Sequence, residues 1–292
     1  MSRAEAETIA PPATPVTPAA RAGLTRRQAW ERRTRRRSNA IAAASTALVV
    51  AAVIVFVPMA PGWQAVQRSF FNGAIFIETL PGLAHAFLLD IAIFAWSAPA
   101  IAVLGLVVAL ARDVRAPAAY PLKLVAIGFI DIFRGMPVIL VVYLIGFGIP
   151  GLGLPRPWNS PYIWGSLALI LTYSAYVAEI FRTGIDSIHP SQRAAALSLG
   201  LSPGDVMRYV VLPQAVRRVI PANMNMLIAL QKDVALLSFI GPVEVLRQAG
   251  VYKTLMANFT PYVGAAALFL ALTVPATRLA DSMIARETGR RS

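Results

Sequence analysis

The chain of 292 residues is 57% hydrophobic and 14% charged, with a net charge of +13 and no cysteine. Such a composition, with a mean hydropathy of +0.62, is too apolar for a soluble domain of this size and indicates a membrane protein. The absence of cysteine excludes disulfides, thiolate metal sites and cysteine nucleophiles.

The N-terminal segment, residues 1–38, is predicted to be a disordered tail that ends in an Arg-rich cluster, because neither its Pro/Ala/Thr part nor its Arg part can bury a core. We expect the cluster to lie against anionic membrane lipid, with a regulatory or protein-docking tail as the alternative. Residues 39–60 are predicted to form an additional transmembrane helix that is not cleaved, because no small-residue cleavage site follows them.

Uncharged runs of about 18 residues or more predict the membrane spans. A sixth run, Val219–Val243, is weaker because Lys232 and Asp233 lie near its middle. The five clear runs are Asn39–Gln64, Ile91–Ala111, Gly135–Pro155, Pro157–Ala178 and Thr254–Thr277.

The placement of the positive charges favours six spans. With six, 21 of the 27 lysines and arginines fall on one side of the membrane. The positive-inside rule then predicts that both termini are cytoplasmic. This asymmetry accounts for the basic character of the chain, so we expect no nucleic-acid partner.

The sequence contains no GxxxxGK[ST] motif to hold a nucleotide triphosphate, so any ATP-driven work requires a partner subunit. It shows no convincing internal or inverted repeat of the kind found in many secondary transporters. His85 and His189 lie far apart, which makes a histidine metal site improbable.

Residues 190–213 predict a helix, a glycine turn and a second helix. Pro190 suits the first turn of the first helix, and Gly200 supplies a left-handed residue that ends it. Ser202 can cap the second helix, which runs to Pro213. The apolar surface of this helix–turn–helix element is expected to pack either on the chain's own spans or on another protein. It consists of Leu197, Leu199, Leu201, Val206, Tyr209 and Val210.

The stretch AAALSLGLSPGDVMRYVVLPQA resembles the cytoplasmic EAA loop of the membrane subunits of ATP-binding cassette (ABC) importers, with Gly200 at the loop's glycine and Leu212-Pro213 at its close. Three further motifs are similar to signatures of the polar amino-acid permeases of the histidine/glutamine type. They are DIFRGMP at 131–137, AYVAEIFR at 175–182, and QKD at 231–233 followed by SFIG at 238–241.

The resemblance covers residues 87–285 and implies an all-α polytopic fold, the transmembrane domain of a type I importer: a five-helix core preceded here by an extra helix. Residues 286–292 would be a cytoplasmic tail. The partners it implies are a dimer of ABC ATPases, a second permease subunit (itself or a paralogue), an external binding protein and a polar amino acid. The permease itself would be non-catalytic, without metal or cofactor, in a bacterial inner membrane, and ATP would bind to the partner.

In such importers the EAA loop, here residues 184–216, supplies the coupling helix that fits the ATPase. Ala194 departs from the family pattern, because a glutamate usually stands at this position. The coupling residues implied are Ala194, Ala195, Ala196, Leu199, Gly200, Leu201, Ser202, Pro203 and Asp205.

A zwitterionic amino acid needs an anion for its ammonium group and a cation or helix N-terminus for its carboxylate. Asp233 and Asp131 are candidates for the first role, and Arg134 or Lys232 for the second. The alternative is that these charges only neutralise one another, as the spacings Asp131–Arg134 and Glu179–Arg182 allow. The full set of candidate substrate residues is Asp131, Arg134, Met136, Thr172, Tyr173, Tyr176, Lys232 and Asp233.

The rival function is an ion-coupled secondary transporter or channel, in which the same intramembrane charges form an ion path. A membrane-anchored structural protein is a more distant alternative.

Overall fold

The computed structural model describes residues 18–114 and 116–289, which are helical apart from turns and contain no strand. They fall into two units, residues 1–65 and 66–292. The helices are α1 (Pro18–Phe56), α2 (Trp63–Phe70), α3 (Gly73–Asp113), α4 (Tyr120–Gly135), α5 (Val138–Gly148), α6 (Pro161–Asp186), α7 (Pro190–Ser198), α8 (Pro203–Asp205), α9 (Leu212–Asp233), α10 (Val245–Met256) and α11 (Thr260–Gly289).

Helix α1 makes up most of the described part of the first unit. It begins at Pro18, so the part of the tail from residue 18 to 38 is helical and differs from the predicted disorder. Alanine, arginine and glutamine are good helix formers, and the apolar segment behind them removes the cost of starting a new helix. Residues 1–17 of the predicted tail lie outside the described residues.

Four helical stretches of the described chain are long and apolar enough to cross a membrane, or five if one bent pair counts as a span. The four are Arg33–Phe56, Trp63–Asp113, Pro161–Asp186 and Thr260–Met283. The sixth run, Val219–Val243, falls on α9 and the 3₁₀ turn that follows it, so the six-span count stays a prediction.

The predicted span Gly135–Pro155 is not one long helix, because its main helix, α5, has only 11 residues and joins α4 at a sharp bend. Helix α4 ends at Gly135, and α5 begins at Val138 after a bend of 107°. Pro137 causes the break, because a residue before proline avoids helical backbone and Met136 is extended (φ −106°, ψ 144°).

The predicted span Thr254–Thr277 also crosses a helix boundary. Ala257 adopts left-handed backbone (φ 46°) and ends α10, and α11 begins three residues later at Thr260. Hydropathy alone does not reveal such a turn, because alanine is apolar in any conformation.

Helix α6 is the centre of the second unit and packs against α3, α4, α5 and α9. Small side chains such as Ala168, Ala175 and Ala178 are fully buried along it and let the neighbouring helices approach closely. Gly184 lies where α9 crosses, and a Cβ there would come within 2.3 Å of the Val219 side chain. The middle of α6 is therefore enclosed by other helices, which places its polar residues in the protein interior.

Candidate functional site

A chain of polar side chains runs along one face of α6. Tyr173, Tyr176 and Glu179 are spaced by three residues and therefore share a face of the helix. The Tyr173 hydroxyl donates to Asp233 Oδ2 at 2.8 Å, and the Tyr173 and Tyr176 ring centres are 6.3 Å apart. This joins the end of α9 to the centre of the bundle.

Arg134 continues the chain from α4. Its guanidinium lies 5.6 Å from the centre of the Tyr176 ring and 3.4 Å from Glu179 Oε2. Glu179 also binds Arg112 at 2.7 Å and Arg182 at 2.6 Å. One carboxylate thus ties α3, α4 and α6 together through three arginines.

The Glu179–Arg182 pair forms as the sequence spacing predicts. The pair predicted between Asp131 and Arg134 is absent from the described residues, because Arg134 turns to Glu179 instead. An exposed pair three residues apart on one helix contributes only a few tenths of a kcal/mol. Arg134 contacts α6 instead, where the Glu179 carboxylate and the Tyr176 ring together bind it more favourably than Asp131 would.

Both ends of the polar chain lie at helix breaks. Asp233 is the last residue of α9, where the backbone changes to a 3₁₀ turn, and Arg134 lies in the last turn of α4 before the bend. Discontinuous helices of this kind mark binding sites in many transporters. The C-terminal end of a helix carries partial negative charge, so a carboxylate there favours a nearby cation.

The other predicted substrate residues do not join this chain. Asp131 and Lys232 are exposed and make no hydrogen bond or ion pair with the described residues. Thr172 is fully buried and its hydroxyl has no partner among them. Met136 packs against the apolar core.

Sequence reasoning missed Arg112. It lies 67 positions before Glu179 and is brought to it only by the packing of α3 on α6. No local spacing could have signalled this contact.

The loop 184–216 forms a second candidate site, and its glycine turn is as predicted. Gly200 has φ +84°, its N–H donates to Leu197 O, and the Leu201 N–H donates to Ala196 O. These two bonds are those of a Schellman motif, which ends a helix with a left-handed residue. Ser202 then caps the next helix by accepting from the Asp205 N–H at 3.2 Å.

The second helix of the loop does not end at Pro213. A π-helical turn, residues 206–211, leads directly into α9, and Pro213 lies in the first turn of α9. The wider π turn accommodates a proline that has no N–H and would crowd a regular helix. The loop is therefore continuous with α9.

The apolar surface of the loop divides into a packed half and a free half. Val206 is buried with Ile185, Ile188 and Ala215, and Leu201 and Val210 pack against this cluster. The remaining apolar members are exposed, namely Leu197 (48%), Leu199 (84%) and Tyr209 (62%).

The other predicted coupling residues differ in exposure, and Asp205 is partly buried. Ala194, Ala195 and Pro203 are exposed, whereas Ala196 is buried. Two side chains fix the loop to the chain behind it: Arg193 Nη2 donates to Ile185 O at 3.0 Å, and Arg218 Nη1 donates to Ser187 O at 2.6 Å. The exposed half is thus presented on a well-anchored support.

An all-helical unit with apolar spans, a polar chain through its interior and an anchored apolar loop at one end defines an integral membrane transport protein. Comparison with known families makes this specific. The chain belongs to the family of binding-protein-dependent transport system inner membrane components, whose model matches residues 104–288. The match includes the polar chain and the loop 184–216.

Individual relatives agree. A probable amino-acid ABC transporter permease protein of Sinorhizobium fredii is 36% identical over 179 residues, which are 61% of this chain and 74% of that protein. A probable glutamine ABC transporter permease protein of Bacillus subtilis is 31% identical over 174 residues, 59% of this chain and 78% of that protein.

A solved structure shows the same fold. The crystal structure of an amino acid ABC transporter with histidines matches with a TM-score of 0.67 and 30% identity, over 74% of this chain and 98% of that one. The predicted all-α fold of a type I importer membrane domain is confirmed. The chain is a multi-pass permease subunit of an ABC importer.

Proposed function

We propose that this permease forms the translocation path for a polar amino acid, with Asp233 as the partner of the substrate ammonium. The observation that carries the proposal is the position of Asp233 at the C-terminal end of α9, where the neutral Tyr173 hydroxyl is its only hydrogen-bond donor among the described residues. No cation of the described residues pairs with it. A charged ammonium group is the missing complement.

The substrate carboxylate would bind on the α4 side of the same polar chain. The Arg134 side chain is 40% exposed. Its guanidinium contacts one carboxylate among the described residues, that of Glu179 at 3.4 Å, so several of its N–H groups remain free to donate. Helix α5 begins directly after the bend and has no side-chain cap, which adds a positive helix end. The two ends of a zwitterion thus have separate partners on either side of α6.

The loop 184–216 is proposed to carry the coupling contact with a dimer of ABC ATPases. Leu197, Leu199 and Tyr209 offer an exposed apolar face that the described residues leave uncovered. ATP would bind to and be hydrolysed by those subunits, so the permease itself would be non-catalytic. A second permease subunit and an external binding protein would complete the importer, and the charge distribution supports cytoplasmic termini.

Replacing Asp233 with asparagine tests the substrate role. We expect Asp233→Asn to weaken the apparent affinity for the amino acid by about 10- to 150-fold, because one hydrogen bond to a charged group contributes roughly 1.5–3 kcal/mol. The measurement is ATP-dependent uptake into vesicles that contain the purified importer, at a series of substrate concentrations.

Asp281→Asn is the matched control, because Asp281 is exposed near the end of α11. It should leave uptake unchanged. Wild-type affinity and rate in Asp233→Asn would remove Asp233 from the substrate site. Loss of the protein from the membrane at the same substitution would point to a structural role in holding α9 against α6.

A further inference from the structure

A polar cavity of about 330 Å³ opens between the ends of α3, α4 and α6, and we call it the boundary cavity. It is lined by Arg112, Asp113, Lys123, Arg182 and Asp186, together with apolar residues. Asp113 and Asp186 are the last residues of two membrane-crossing stretches. The cavity therefore lies at the level where the apolar spans meet lipid headgroups and water.

Two charged groups in the boundary cavity lack a direct ionic partner among the described residues, and the Asp113 carboxylate attracts the Arg182 guanidinium only from a longer distance. The Lys123 ammonium and the Asp113 carboxylate are both half-buried, and neither makes a hydrogen bond or ion pair with the described part of the chain. They lie on different helices, α4 and α3. Half-buried charges are costly unless a partner satisfies them, so a ligand bearing both signs of charge would complete the cavity.

The balance of charge decides which ligand fits. Three cations line the boundary cavity, and two of them, Arg112 and Arg182, bind the Glu179 carboxylate behind it. Asp113 and Asp186 supply two further negative charges. Three cations against three carboxylates leave no net attraction for an anion, but they offer separate places for a phosphate and an ammonium group.

We infer that the boundary cavity binds the headgroup of a phospholipid that carries both a phosphate and a primary ammonium, as in phosphatidylethanolamine. Lys123 and Arg182 would receive the phosphate, and Asp113 and Asp186 the ammonium. The volume is at the small end of the range of ligand pockets, which suits a headgroup whose acyl chains remain in the bilayer. Basic pockets between transmembrane helices bind anionic headgroups, whereas the balanced charges of the boundary cavity suit a zwitterionic one.

The test counts lipids bound to the purified full-length protein by native mass spectrometry, after incubation with phosphatidylethanolamine or phosphatidylglycerol in detergent. We expect the wild type to retain phosphatidylethanolamine preferentially and Lys123→Gln to bind it about fivefold more weakly. Lys123 makes no hydrogen bond or ion pair within the described chain, so the substitution should leave the fold intact. Arg217→Gln, at an exposed arginine outside the cavity, should bind like the wild type.

A second variant and two ligands identify the source of the headgroup. Asp113→Asn should lower binding of phosphatidylethanolamine more than that of phosphatidylcholine, whose quaternary ammonium is attracted by the carboxylate but cannot donate a hydrogen bond to it. Soluble glycerophosphoethanolamine should fail to displace the lipid, and displacement at equal concentration would refute a lipid site. Equal binding by the wild type and Lys123→Gln, or a preference for phosphatidylglycerol, would also overturn the inference.

Discussion

Asp90 of α3 and Glu244, which precedes α10, place two carboxyl groups side by side in the interior, at 2% and 0% exposure. Glu244 accepts from the N–H groups of Leu246 and Arg247, at 2.8 and 2.6 Å, and Asp90 Oδ2 accepts from the Val245 N–H at 3.2 Å. Neither acid forms an ion pair with a cation among the described residues, and ionising two neighbouring buried carboxyl groups is costly, so we predict that the pair holds one proton. The two acids therefore fasten the start of α10 to α3.

Asparagine should replace Asp90 with little effect, because an amide resembles the protonated acid in shape and hydrogen bonding. We expect Asp90→Asn to unfold within a degree or two of the wild type and Glu244→Ala to lose roughly 1–3 kcal/mol, since two partly buried N–H groups lose their acceptor. The measurement is the midpoint of thermal unfolding of the purified protein in detergent.

Glu78→Gln is the control for this pair, because Glu78 is an exposed acid on the same helix. If Asp90→Asn proved as damaging as Asp90→Ala, an ionised Asp90 would be required and the shared proton would be wrong.

At the residue scale, the sequence predicts contacts within one helix and misses those between helices. Spacing alone identifies the Glu179–Arg182 pair. Spacing gives no sign that Arg112 and Arg134 reach the same carboxylate, or that Asp90 meets Glu244. These partners are far apart along the chain, and only the packing of the helices brings them together. The Asp131–Arg134 pair fails for the same reason.

Among the elements, the loop 184–216 depends most on one backbone conformation. Gly200 has φ +84°, and a Cβ there would meet no atom within 4 Å. Glycine is therefore required at this position because of the left-handed backbone and not because of a lack of space. Left-handed backbone costs an L-residue roughly 1–2 kcal/mol. Because the loop is exposed, this strain can be relieved by moving α8 and the π turn.

Gly200→Val should therefore displace the exposed Leu199 and Tyr209 while the membrane helices stay inserted. We expect ATP hydrolysis that no longer responds to substrate, measured on the purified importer together with assembly of the ATPase. Gly200→Asn should be nearly neutral, because asparagine tolerates left-handed backbone.

Gly204→Ala is the matched control, since Gly204 has room for a Cβ, with only the Ser202 hydroxyl 3.8 Å away. Transport-coupled hydrolysis by Gly200→Val at the wild-type level would show that the loop is only a connector.

Element boundaries with local causes are readable from the sequence. Glycine, serine and proline at 200–203 give the turn and cap correctly. Breaks inside apolar runs, at Met136 and Ala257, escape hydropathy because both neighbouring helices are apolar. Pro213 predicts a helix end that the structure does not have, because the π turn before it accommodates the proline and the helix continues.

For the whole molecule, composition and motif order are enough to predict a helical importer permease, and the family match confirms it. They do not fix the number of spans, because α9 carries Arg217 and Arg218 in its second turn and Lys232 and Asp233 at its end, and is not among the stretches apolar enough to cross a membrane. Helix α1 lies before the matched residues, so the family says nothing about its role.

The orientation of the chain in the membrane is a prediction for the whole molecule. With 21 of 27 basic residues on one side, the loop 184–216 is expected in the cytoplasm and the segment between α5 and α6 outside. The chain has no cysteine, so single cysteines can be introduced at exposed positions without background. A membrane-impermeant thiol reagent should label Asn159→Cys in intact cells and Gly204→Cys only after permeabilisation. Labelling of Gly204→Cys in intact cells would place the coupling loop outside and would exclude its contact with a cytoplasmic ATPase.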